Sequence, residues 1–338
     1  MESILFFFAA FVRTTVILIT ASLVVRLLVH RWTLSEDKPS VPVSVNFHFT
    51  RKCNYECGFC FHTATDSYLA PLQDAKKALA LLKEAGMKKI NFAGGEPFLY
   101  QSIWPDLQLE SVSIVSNGSK IRSSFLRENA AWIDILAVSC DSFNEETNLK
   151  IGRGVGLSHV SQLKSIATAC RDVGILFKIN SVVCRYNVHE DLSIQIAPFR
   201  WKVFQVLAVE GENMDASPTG TDGDEPKPKL LRNVEPFLIS SAEFDEFCQR
   251  HKHVPSIVPE PNHLMKASYL LMDEHLRFLP RGSNNNTPTG SILEVGVKEA
   301  LLHAGWDEQS FRERGGVYEW TKPLDSGCAA KGASELEW

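Results

Sequence analysis

Apolar residues change their rhythm twice along this chain. Residues 4–25 are almost continuously apolar, from Ile4-Leu5-Phe6-Phe7-Phe8 to Ser22-Leu23-Val24-Val25, with Arg13 as the one charge. About twenty such residues are long enough to span a bilayer. An interfacial helix with Arg13 reaching for the headgroups fits the same pattern. A buried core helix is the third reading, and the missing basic start speaks against a cleaved signal peptide. Arg26, His30 and Arg31 follow, which favours a cytosolic side for the rest of the chain. Residues 1–33 are therefore expected to be a membrane anchor, and 34–42, with its prolines, serines and lysine, a linker.

From Val43 the pattern alternates between strand and helix periods. Val43-Ser44-Val45-Asn46-Phe47-His48-Phe49 alternates as a strand does. Pro71 to Ala85 sets Leu72, Ala75, Leu79 and Leu82 at helical spacing, with Gly86 as the stop. Further strands are predicted at 88–93, 111–116, 133–139, 175–183 and 201–207. Helices are predicted at 121–129, 157–173 and 188–199, with a short, less regular piece at 97–107. Six β–α alternations predict an α/β fold, a partial six-stranded TIM-like (β/α) barrel over 43–210. Ligands of such barrels bind at the C-terminal ends of the strands. Residues 211–338 then form an extension expected to cover one end of the barrel. It holds a flexible insertion rich in Pro, Gly, Asp and Lys at 215–232, a helix at 241–251 and a turn into a strand at 315–320.

Composition narrows the chemistry. A chain of 338 residues can hold one large barrel with appendages. A net charge of −5 supplies no general basic field, so direct nucleic-acid binding is not expected. Eight cysteines in a chain of this length do not make a disulfide framework. Cys140, Cys170, Cys184, Cys248 and Cys328 are scattered and read as buried thiols.

The other three are not scattered. Cys53, Cys57 and Cys60 stand at C-x3-C-x2-C on the loop leaving the first strand. Three thiolates on one loop can hold an iron–sulfur cluster and leave one iron open to a small molecule. The plainer alternative is half of a zinc site, but the paired second half is absent. A second motif, Gly94-Gly95-Glu96-Pro97, ends the second strand. Glycines there allow close backbone approach to a ligand, and Glu96 can accept from an ammonium group. Together the motifs resemble the radical S-adenosylmethionine (SAM) enzymes.

The resemblance reaches further. Asn46-Phe47-His48-Phe49-Thr50-Arg51, Cys57-Gly58-Phe59-Cys60-Phe61-His62-Thr63-Ala64, Ser116-Asn117-Gly118-Ser119, Ser139-Cys140-Asp141-Ser142-Phe143, Ile151-Gly152-Arg153-Gly154 and Glu210-Gly211-Glu212-Asn213 are similar to segments of the antiviral viperin family. The likeness runs from about residue 41 to the C-terminus. It implies a [4Fe–4S] cluster on Cys53, Cys57 and Cys60. It implies SAM contacts at Phe59, Gly94, Gly95, Glu96, Ser139 and Arg153, and an external electron donor. The implied substrate is CTP, dehydrated to 3′-deoxy-3′,4′-didehydro-CTP, with Asn46, Lys178, Arg200, Lys202 and Tyr269 as nucleotide contacts. UTP or a peptide is the alternative substrate, and a membrane-anchored metal-binding scaffold the non-enzyme alternative. From the residues alone, Lys178 inside an apolar strand favours a ligand role. Arg200 could equally be a surface residue, Asn46 a turn cap and Tyr269 a core aromatic. Ala93 departs from the serine of the family. By the same resemblance, Trp338 docks the cytosolic iron–sulfur assembly machinery, and the protein sits on the cytosolic face of the endoplasmic reticulum or on lipid droplets.

Overall fold

A computed structural model describes residues 41–100, 107–154, 156, 158–192, 196–215, 230–265, 268–280 and 288–322. The expected anchor, nearly all of the linker, most of the 215–232 insertion and Trp338 lie outside the described residues. No described helix is long and apolar enough to cross a membrane.

The described residues form a sheet of eight parallel strands in the order β7-β6-β5-β4-β3-β2-β1-β8. In sequence these are β1 Ser44–His48, β2 Lys89–Ala93, β3 Ser111–Ser116, β4 Ile135–Ser139, β5 Leu176–Val183, β6 Arg200–Gln205, β7 Ile257–Glu260 and β8 Leu270–Met272. The helices that matter here are α1 Leu72–Glu84, α2 Ser123–Asn129, α3 Glu145–Ile151, α4 His159–Asp172 and α5 Ser241–Arg250. The first six strands are the six the periodicity predicts, and the sheet is the expected partial barrel. The extension adds β7 at one edge and β8 at the other, so six becomes eight. Four and three residues are too few to display a period.

The strand alternation has a specific cause. Parallel strands are usually apolar on both faces. Here Val45, Phe47, Ile90 and Phe92 face outward and pack with Ala75, Ala78, Leu79 and Leu82 of α1. Ser44, Asn46, Lys89, Asn91, Lys178, Asn180 and Lys202 face inward around a cavity. The inner face is polar because it encloses a polar site.

Three local expectations change. Residues 188–192 and 196–199, the described part of the helix predicted at 188–199, form no helix. Asn187 Oδ1 accepts from Cys184 N at 2.7 Å, and Asn187 Nδ2 donates to Asp141 O and Val182 O at 2.7 and 2.9 Å. Such side-chain bonds compete with helical ones, and Pro198 disfavours a helical residue before it. Residues 315–320 form no strand. They run irregularly past the cavity, and Ser111 Oγ fastens them by donating to Trp320 O at 2.9 Å. Finally, α3 was not expected. It is seven residues long, with Asn144 capping its start through Glu146 N and left-handed Gly152 closing its end.

Candidate active site

The cysteine loop leaves β1 and is gripped by main chain on two sides. On one side Gly95 N donates to Thr50 O at 2.7 Å and Glu96 N to Lys52 O at 2.8 Å. A Cβ on Gly95 would lie 2.0 Å from Lys52 O, so this approach admits only glycine. On the other side Glu56 N donates to Gly152 O at 3.2 Å and Gly58 N to Ile151 O at 3.0 Å. The Glu96 carboxylate is fully buried and already engaged. It accepts from Phe98 N, Ser116 Oγ and Asn117 N at 3.0, 2.8 and 2.7 Å. Its evident work is to tie the Gly-Gly turn to the end of β3. Burial still pushes its pKa up.

Cys53 is exposed, Cys60 half-buried and Cys57 buried. Burial pushes all three thiols up, Cys57 to about 12. They would stay protonated until a metal displaced the protons, as coordination does. Tyr55 N donates to Cys53 Sγ at 3.4 Å and Asn117 Nδ2 at 3.8 Å. Three thiols on one short loop, with N–H donors on one sulfur, fit an iron–sulfur cluster with an open iron.

Of the residues the resemblance gives to SAM, Phe59 is buried edge-to-face on Phe237 and Arg153 lies 5.8 Å from its ring centre. Arg153 is ion-paired with Asp141. Burial opposes its charge, but the Asp141 carboxylate beside it offsets that and keeps it cationic. Ser139 ends β4, where its carbonyl accepts from His159 Nε2 at 2.9 Å. Ala93 ends β2 and is buried.

Inside the barrel lies a cavity of about 80 Å³. Asn46, Lys178, Lys202 and Tyr269, all expected from sequence, line it together. Arg200 sits on the same strand as Lys202 but packs on the Tyr318 ring, 4.2 Å from its centre, and donates to Gly315 O at 3.2 Å. It braces Tyr318 without lining the cavity itself. Lys89, Asn91, Asn180, Arg314 and Tyr318 also line the cavity and were not singled out from the sequence. Lys89 could have been. Like Lys178, it is a lysine on the polar face of a buried strand, which costs free energy without a partner. Arg314 carries no local signal.

The cations outnumber their partners. Lys202 pairs with Glu260 and donates to Tyr269 Oη at 2.6 Å. Arg314 meets the same Glu260 at 3.1 Å and lies 4.0 Å from the centre of the Tyr269 ring. Lys89 Nζ donates to Tyr318 Oη at 2.9 Å. Burial, then neighbouring cations, pushes Lys89 down to about 7 and Lys178 well below the ordinary lysine range. Lys202 falls to about 8, through burial opposed by Glu260. A larger cavity, about 140 Å³, lies at Phe47, Phe49 and α1. It is apolar, on the outer face of β1, and offers no chemistry.

Comparison with known proteins identifies the fold. Residues 47–193 match the radical SAM superfamily. The chain is 49% identical over 297 residues to the S-adenosylmethionine-dependent nucleotide dehydratase RSAD2 of Danio rerio, covering 84% of this chain and 79% of that one.

This chain belongs to the viperin family of radical SAM enzymes.

A more distant viperin relative, the S-adenosylmethionine-dependent nucleotide dehydratase of Flammeovirga pacifica, is 34% identical and 96% covered, against 82% of this chain. Among solved structures, Streptococcus suis SuiB bound to S-adenosylmethionine matches with a TM-score of 0.57 at 19% identity, over 82% of this chain and 68% of that one. The anSMEcpe enzyme with bound AdoMet and a peptide matches at 0.55 and 13%, over 79% and 82%. These two establish the fold. Viperin membership carries two cofactors, SAM and an iron–sulfur cluster. Bound together, they supply a carbon radical able to take hydrogen from an unactivated C–H bond.

Proposed function

We propose that this enzyme is a nucleotide dehydratase whose substrate is CTP. A hydrogen atom would be taken from ribose C4′, the 3′-hydroxyl would leave as water with one added proton, and one electron from the external donor would complete the double bond of 3′-deoxy-3′,4′-didehydro-CTP. Cys53, Cys57 and Cys60 would hold a [4Fe–4S] cluster, with the Gly-Gly turn and Arg153 beside it for SAM. The observation that carries the reading is the excess of buried cations in the cavity. Lys89, Lys178, Lys202 and Arg314 converge there, and of these Lys202 and Arg314 meet one carboxylate, Glu260. Buried like charges are costly unless a ligand neutralises them, and a triphosphate brings several negative charges in one chain of oxygens. Asn46, Asn91 and Asn180 add amides that can orient a base or ribose. The relatives are likewise named as nucleotide dehydratases.

The test is an anaerobic assay of reduced, cluster-loaded protein with SAM and each of CTP, UTP, GTP and ATP. CTP should raise 5′-deoxyadenosine release most, with a product lighter than CTP by one water. Equal stimulation by ATP would overturn the choice of substrate. For the chain ends, we propose that residues 1–33 hold the enzyme on the cytosolic face of the endoplasmic reticulum or lipid droplets. A reporter carrying them that stays in the cytosol would refute this. We propose too that Trp338 is read by the iron–sulfur assembly machinery. A full cluster in protein lacking Trp338, purified from cells, would end that idea.

A further inference from the structure

Beside the cysteine loop, and outside the residues lining the cavity, three ligand-type side chains converge. Asp66 belongs to the segment following Cys60. Glu274 and His275 belong to the turn after β8. Their ligand atoms all lie within 4.8 Å of one another. His275 Nε2 is 3.7 Å from Asp66 Oδ2 and 3.8 Å from Glu274 Oε1. Both spacings are too long for hydrogen bonds. They are a few tenths of an ångström wider than the roughly 3.4 Å between two ligands that each bind one ion at about 2.1 Å. The Tyr68 ring stacks on His275, with centres 4.2 Å apart and planes 7° from parallel, and fixes the imidazole.

A second observation is independent of this convergence. The Glu274 side chain is 2% exposed; its Oε1 takes the Arg51 bond, while its Oε2 is buried with no hydrogen-bond partner, 3.7 Å from the Nε2 of the buried His62. A buried carboxylate oxygen without a donor is costly. The charges around it point the same way. Arg51 donates to Glu274 Oε1 at 2.6 Å and to Glu212 at 2.9 and 3.1 Å. Arg51 thus serves two carboxylates, Glu212 and Glu274, and Asp66 beside His275 adds a third, leaving two negative charges for one divalent ion to neutralise. Imidazole with carboxylate suits first-row transition ions, while calcium and magnesium prefer oxygen alone.

We propose that Asp66, Glu274 and His275 bind one divalent transition-metal ion of the manganese or zinc kind, separate from the iron cluster. The ion clamps the exit of the cysteine loop to the turn after β8, the strand that borders β1. Its role is structural, so it fastens the rim beside the cluster without touching substrate.

The experiment uses the full chain with its cluster loaded, so that the cysteines are occupied, and without SAM or nucleotide. Manganese is titrated and bound ion read by electron paramagnetic resonance, with zinc as competitor. About one ion per chain should bind and raise the thermal midpoint. Asp66→Asn, at a 43% exposed side chain that tolerates the change, and His275→Gln should each weaken binding at least tenfold and cancel the thermal shift. Iron content and SAM cleavage should be unchanged in both. Wild-type protein that takes up neither ion overturns the site, as does undiminished binding by the Asp66→Asn variant.

Discussion

The cysteine loop and the cation cavity adjoin along β1, yet they are built on opposite principles. At the loop, main chain grips main chain through Gly95, Glu96, Glu56 and Gly58, and the charges are paired internally as Arg153 with Asp141 and Arg51 with Glu212 and Glu274. The loop's main-chain bonds are made without any ligand. The cavity gathers side chains from distant parts of the sequence and leaves them unbalanced, with lysines driven toward neutrality. A region satisfied by itself suits a cofactor that stays. A region at odds with itself suits an anion that arrives, relieves it and leaves.

The sharpest test of that contrast is Cys57→Ala. Iron retention should collapse and SAM cleavage fall to background, with the far-ultraviolet circular dichroism unchanged; normal cleavage would undo the assignment of the loop. Gly95→Ala comes next. Its Cβ would meet Lys52 O, so iron content and SAM cleavage should drop about tenfold or more, while CTP affinity measured by calorimetry stays within about twofold. Lys178→Ala should act the other way. A charge-assisted contact is worth roughly 1.5–3 kcal/mol, or about 10- to 150-fold in the CTP dissociation constant, with iron content intact.

The smallest effect is in pH. A bound triphosphate favours charged lysines, so it raises the pKa of Lys89 from about 7 and of Lys202 from about 8. Binding then takes up protons, and affinity should fall from about pH 7 to 9, by at most about tenfold per unit for each group. Calorimetry in buffers of different ionisation enthalpy reads this directly, and pH-independent binding would put the phosphates elsewhere. Without ligand the sign reverses. The folded state holds fewer protons than the unfolded chain, whose lysines titrate near about 10.4, so stability should rise with pH from about 7 upward.

The same contrast explains what was legible in the sequence. Cys53 to Cys60 and Gly94 to Pro97 are contiguous because they fold as local turns. Lys178 stood out because a lysine between Phe177 and Ile179 has no bland explanation. Asn180 and Arg314 acquire meaning only when β5 and the extension meet. The 188–199 error is instructive. Val188, Leu192 and Ile196 sit at helical spacing and all are buried, yet Asn187 and a bond from Leu192 N to His251 Nε2 hold the backbone in turns. Spacing reported which residues are buried, and tertiary contacts decided the backbone that buries them.

The pairing of β8 with β1 sets a timetable. Val45 and Phe47 stand opposite Leu270 and Met272, and Asn46 Nδ2 reaches Leu270 O across 224 residues. Contacts so far apart in sequence are slow to form. On the ribosome, the outer edge of β1 waits unpaired, as an exposed template for wrong partners, until Met272 has emerged. By then the cysteine loop, the Gly-Gly turn and Arg153 have long been made. The cavity still lacks Tyr269, Arg314 and Tyr318 until almost the whole chain is out. Synthesis therefore completes the cofactor end first and the substrate end last, and a stalled or truncated chain can own its cysteine loop while having no place for a nucleotide.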